Sequence, residues 1–126
     1  MHWLAVALGG SIGAMSRYGL SIVIPNAPGK FPVATFATNV LGSLLMAALF
    51  VLIVEKGALP AMWRQALMVG FLGAFTTFST FSLESLHLIS EGHGKLAFTY
   101  MLSSVLACLF AAFSGYHLIH KLIIEN

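Results

Sequence analysis

Four long apolar blocks, separated by short connectors, leave this chain few ways to fold. They run roughly from Trp3 to Ile24, Val33 to Val54, Trp63 to Leu88 and Leu96 to Ile119. A helix needs about 20 largely apolar residues to cross a bilayer, and each block supplies them. The connectors "PNAPGK", "EKGALPAMWR" and "SEGHGK" hold the turn formers and many of the charges. Only 8% of the 126 residues are charged, against about a quarter in soluble domains. The expected fold is therefore an all-α integral membrane protein: one domain over 1–126 with four transmembrane helices.

The first block has no basic segment before it and is long enough to span, so it is expected to remain as a helix. Cys108 is the only cysteine, so no intrachain disulfide is possible. The net charge of +2 comes from scattered residues, which gives nucleic-acid binding no support. With four spans, Lys56, Arg64 and Lys121 fall on one side of the membrane and Arg17, Lys30 and Lys95 towards the other. That balance removes the positive-inside bias that normally fixes orientation. Two explanations stand: orientation by weak contextual signals, or dual topology with copies paired as an antiparallel dimer.

Polar groups inside spans are costly and mark candidate function. Arg17 lies about two-thirds along the first span, as a functional cation or as a residue snorkelling to the headgroups. Glu84 lies in or near the end of the third span, where an interfacial cap or ion-pair partner is the plainer role. Gly9, Gly10 and Gly13 have the small-residue spacing of close helix packing. Asn39, flanked by Thr35, Thr38, Gly42 and Ser43, needs partners in a neighbouring helix or a wet path, where its amide could donate to an anion.

The densest polar feature is "GAFTTFSTFSLES". Thr76, Thr77, Ser79, Thr80 and Ser82 alternate there with Phe75, Phe78 and Phe81. Gly70 and Gly73 precede the β-branched pair Thr76–Thr77, so helix propensity is poor and a break near 73–77 is expected. Hydroxyls can bond back to preceding carbonyls, glue helices together, or satisfy backbone freed by a break. A break would present free carbonyls to a cation and free N–H groups to an anion. Phe78 and Phe81 share a face, and ring edges carry partial positive charge. Tyr100, Ser104 and Cys108 form a mildly polar stripe along the fourth span.

These residues resemble the Fluc (CrcB-type) fluoride channels. "GGSIGAMSRY", "ATNVLGS" and above all "GFLGAFTTFSTFS" carry the resemblance, which covers essentially the whole chain in order. It implies an antiparallel, dual-topology homodimer in the cell inner (plasma) membrane, letting fluoride leave the cytoplasm passively. Two pores would flank a central structural Na+, with a second copy of the chain, fluoride and lipid as the partners. By the resemblance, Asn39, Phe78 and Phe81 belong to the pore with Ser79 and Thr80 between the rings, and Tyr100, Ser104 and Cys108 form a polar track. The carbonyls of Gly73 and Thr76 would hold the sodium, while Arg17 and Glu84 occupy vestibule or structural positions. Cys108 departs from an expected serine, and Ala34 and Ala74 stand where glycine is usual.

A narrow passage with strong donors would select fluoride over chloride. No nucleophile–base pair or ligand cluster suggests catalysis, and the histidines lie mainly near span ends. The alternative from another class is a proton-coupled small multidrug exporter of dual topology. That mechanism wants a carboxylate deep in the first span, where this chain has Arg17.

Overall fold

All residues from Met1 to Asn126 are described by the computed structural model, and every regular element in it is helical. Helix α1 covers His2–Val23, and α2 covers Val33–Leu49 and continues as a π-helical stretch, Phe50–Glu55. The third rod is composite. It consists of α3 (Ala61–Trp63), a π-helical stretch (Arg64–Leu72), α4 (Gly73–Phe75) and α5 (Phe78–Ser90). Helix α6, Gly94–Ile123, is the longest at 30 residues.

Three of these rods are long and apolar enough to cross a membrane: Val33–Glu55, Ala61–Ser90 and Gly94–Ile123. The expected fourth, α1, is 22 residues long but is interrupted by His2, Arg17 and the serines Ser11, Ser16 and Ser21. Those serines return their hydroxyls to the carbonyls of Leu8, Ile12 and Tyr18 at 2.9, 2.8 and 2.6 Å, which hides their polarity from an apolar surrounding.

Only 21 of 126 residues are buried within the single chain, and Trp3, Ile12, Met15, Phe98, Phe110 and Phe113 point outward. A surface of this kind suits hydrocarbon or another apolar protein face rather than water.

Packing follows small residues. Helix α1 lies against the Arg64–Leu72 stretch, and a β-carbon at Gly9 or Gly13 would run into the carbonyls of Ala66 and Phe71. Likewise α2 lies against α6, where a β-carbon at Gly115 would meet the Leu44 carbonyl. Without a hydrophobic drive between helices in lipid, such backbone approach supplies the dispersion contacts that hold them together. A small aromatic core seals the α5–α6 end: Phe81, Leu88, Ala97 and Tyr100 are buried there with Phe31 and Phe36 packed against them.

Candidate ion pathway at the helix break

The third rod breaks at Thr76–Thr77. Thr76 has φ −88° and ψ 156°, Thr77 has φ −153° and ψ 119°, and α5 begins at Phe78. Two consecutive extended residues remove the regular ladder, so each backbone group at the break needs another partner.

Asn39 supplies the main one. Its Oδ1 accepts from Thr77 N–H at 2.8 Å, and its Nδ2 donates to Thr77 O at 3.0 Å. One side-chain amide thus pairs with both polar groups of one residue, as a neighbouring strand would. Thr77 Oγ1 then caps α5, accepting from Thr80 N–H at 3.1 Å and contacting the hydroxyls of Thr80 and Ser79 at 3.1 and 3.2 Å. Arg17 Nε donates to Ala74 O at 3.0 Å across from α1, and Thr76 Oγ1 donates back to Leu72 O at 2.9 Å.

These partners divert two helical donors. In an unbroken helix Thr77 N–H would bond Gly73 O and Thr80 N–H would bond Thr76 O. Here the first goes to Asn39 and the second to the Thr77 hydroxyl. The carbonyls of Gly73 and Thr76 are the acceptors that lose those donors.

Beside the break lies a cavity of about 750 Å³ between α2, the third rod and α6. Asn39, Phe78, Phe81, Ser104 and Cys108 line it together with Thr76, Thr77 and Ser43. The Phe78 and Phe81 rings are 5.5 Å apart between centroids at 42°, with Phe78 77% exposed and Phe81 buried. Phe81 in turn contacts Tyr100 at 5.1 Å. Ser104 is buried, and its Oγ has no hydrogen-bond partner.

A smaller cavity of about 260 Å³ lies on the α1 side, lined by Arg17, Tyr18, Asn26, Thr35, Thr38, Thr77, Thr80 and Glu84. Glu84 is held by three donors. Its Oε1 accepts from Asn26 Nδ2 at 2.9 Å and Thr35 Oγ1 at 2.8 Å, and its Oε2 accepts from Tyr100 O–H at 2.7 Å. No cation is in ion-pair contact with it, and its hydrogen bonds come from three neutral donors.

The sequence-derived residues therefore divide. Asn39, Phe78, Phe81, Ser104 and Cys108 meet at the wider cavity, and Arg17, Thr80 and Glu84 at the smaller, with Thr77 facing both. Tyr100 is sealed inside and reaches Glu84 rather than either space, while Ser79 and Gly73 line neither. Arg17 extends sideways to the break instead of snorkelling outward. Asn26 and Thr35, which donate to Glu84, are partners that sequence reasoning did not assign. Asn26 reads as a turn residue between two prolines, but Thr35 stands one helical turn before Asn39, a face-sharing signal that could have found it.

Comparison with known proteins bears on this arrangement. The family model described as "CrcB-like protein, Camphor Resistance (CrcB)" matches residues 4–116. A protein of Saccharophagus degradans named "Fluoride-specific ion channel FluC" is 53% identical over 121 residues, covering 96% of this chain and 91% of that protein. Proteins of the same printed name from Magnetococcus marinus and Hahella chejuensis are 50% and 48% identical. They cover 87% and 90% of this chain, and 90% and 91% of their own lengths.

The double pairing of Asn39 makes a stability prediction. Asn39→Asp keeps the acceptor for Thr77 N–H but sets a carboxylate oxygen against Thr77 O. It should destabilise the protein by about 1–3 kcal/mol, read as a lowered unfolding midpoint in detergent. An unchanged midpoint would mean that the amide does not hold the break.

Proposed function

This chain belongs to the CrcB family, and on that premise we propose that it is a fluoride-selective channel that lets the anion leave the cytoplasm passively. It is a multi-pass membrane protein of an ion-channel family and not an enzyme. The observation that carries the reading is the convergence of Asn39, Phe78, Phe81 and Ser104 on one cavity beside the break. Fluoride is small and strongly hydrated, so a path must replace water with several donors at once. The Asn39 amide has a second N–H beyond the one given to Thr77, the Ser104 hydroxyl is unpartnered, and the ring edges of Phe78 and Phe81 add positive potential. The apolar remainder of the wall disfavours water as a competitor.

The finer architecture is part of the proposal: four spans with α1 among them, in an antiparallel dual-topology homodimer with two pores, in the inner (plasma) membrane. Its support is the cavity's open side and the outward-facing Phe78, which a second copy would cover. A central Na+ fits the break. A hard cation takes oxygen donors, and the Gly73 and Thr76 carbonyls are those whose helical donors have been diverted. Bound there, the ion would supply a fixed positive charge between two carbonyl-rich breaks. Arg17 already covers Ala74 O, so that carbonyl is not among those left for the ion. A proton-coupled exporter, by contrast, needs a carboxylate free to exchange protons, whereas Glu84 is engaged by Asn26, Thr35 and Tyr100.

In proteoliposomes with no proton gradient the protein should carry fluoride, and Phe81→Ile should cut that flux by roughly tenfold or more. Flux that demands a proton gradient would overturn the channel reading, and unchanged flux in Phe81→Ile would remove the ring from the path. For the topology, a C-terminal tag should be reachable from both sides of the membrane in one population, while one-sided labelling would sink dual topology.

A further inference from the structure

The wider cavity runs well past the break. Phe31 meets Tyr100, Leu44 faces Gly115 and Glu55 meets Tyr116, so α2 and α6 lie side by side in the same direction. The cavity follows α2 from Asn39 to Phe50 and α6 from Ser104 to His117, a groove of about 16–20 Å at the 1.5 Å rise of a helix. Asn39 and Phe81 stand at one end of it. Phe50, Phe113, Tyr116 and His117 stand at the other, and His117 is the one histidine on its wall.

That far end is ringed by titratable groups. Tyr116 lines the groove, and its O–H donates to Glu55 Oε1 at 2.7 Å, so a carboxylate stands one hydrogen bond behind the wall. His120, one turn further along α6, stacks on Tyr116 with centroids 5.6 Å apart. Its Nε2 lies 3.8 Å from Glu55 Oε2, and its Nδ1 lies 3.5 Å from Glu125 Oε1. A neutral imidazole has one N–H and can serve only one of those carboxylates, whereas the protonated ring serves both. The His117 ring packs on Phe113 and Tyr116 at 4.1 and 5.3 Å. Lys56 donates to Ile123 O at 3.4 Å, and neither it nor Lys121 is in ion-pair contact with Glu55. The ion-pair partner of Glu55 is therefore a histidine, the side chain whose charge comes and goes between pH 5 and 8.

We propose that Glu55, His117 and His120 form a titratable mouth at this end of the anion path, which passes fluoride faster when the two histidines are protonated. The inference rests on the channel reading. Around the mouth the carboxylates of Glu55 and Glu125 are matched in number by the ammonium groups of Lys56 and Lys121, so the imidazoles set the sign of the local charge. With both imidazoles neutral, Glu55 is the charge nearest the groove wall, and it repels an arriving anion. Protonated His120 offsets that carboxylate, and protonated His117 puts a cation on the wall itself. These groups are partly exposed, and the Debye length is about 10 Å at 0.1 M salt. The effect is therefore a modest change in rate that grows as the salt is diluted.

Fluoride current across a planar bilayer, in dilute sodium fluoride with the same pH on both faces, is the test. Neutral hydrogen fluoride carries no current and so does not confuse the reading. From about pH 8 to about pH 5.5 the current of the unaltered chain should rise by roughly two- to fourfold. Replacing both histidines, His117→Gln with His120→Gln, should flatten that rise. Glu55→Gln keeps an oxygen to accept from Tyr116 but loses the charge, and should pass more current than the unaltered chain at pH 8. A current in the unaltered chain that does not change with pH overturns the mouth and leaves the channel reading standing. So does an undiminished rise in the doubly substituted chain, or a Glu55→Gln current no larger than the natural one at pH 8. No fluoride current at either pH contradicts the channel reading and takes this inference with it.

Discussion

The pairing of the Asn39 amide with both backbone groups of Thr77 is the interaction on which the rest of this structure depends. Two extended residues inside an apolar rod would otherwise leave polar groups facing hydrocarbon, at several kcal/mol each. By taking Thr77 as a strand neighbour would, Asn39 makes the break tolerable. The capping of α5 by Thr77 Oγ1 follows, because the extended Thr77 backbone is what turns its hydroxyl towards Thr80 N–H. The Gly73 and Thr76 carbonyls lose their helical donors through these same two diversions.

The surrounding packing serves that geometry. Gly9 and Gly13 bring α1 close enough to the third rod for Arg17 to reach Ala74 O, which relieves one more carbonyl at the break. A β-carbon at Gly42 would press on Thr76, so the absence of a side chain lets α2 come close where Asn39 must reach across. On the far side of α5, Glu84 gathers Asn26, Thr35 and Tyr100 and ties the first connector, α2 and α6 to one carboxylate. The break is thus held from α2 and α1, and the helix that follows it is anchored by its acid.

Much of this was legible in the chain because the signals are local. Long apolar blocks announce the rods, and Gly70, Gly73 and the Thr76–Thr77 pair announce weak helix between 73 and 77, where the structure breaks. Asn39 stood out because an amide in a span must find partners. Its partner was not legible, since the residue facing it comes 38 positions later and only packing brings them together. Glu84 shows the same limit: its three donors come from a loop, α2 and α6, and nothing in spacing pairs a turn asparagine with an acid 58 residues on. The Tyr100–Ser104–Cys108 stripe is real as a helical face, but Phe81 and Phe31 close over Tyr100 and bury it, leaving the lower part of the stripe to line the cavity. The π-helical stretches at Phe50–Glu55 and Arg64–Leu72 had no signal in the sequence, because a segment that is apolar almost all round has no polar face whose changed period could mark them.

In the proposed channel one amide, Asn39, both holds the break and would face the anion. The most direct measurement is efflux from liposomes loaded with fluoride and chloride together, comparing the natural chain with Asn39→Leu, an apolar residue of similar size, in protein that elutes as the same species. The account predicts that the natural chain releases fluoride and retains chloride, and that Asn39→Leu releases neither. Chloride leaving alongside fluoride, or Asn39→Leu conducting at the natural rate, would contradict it.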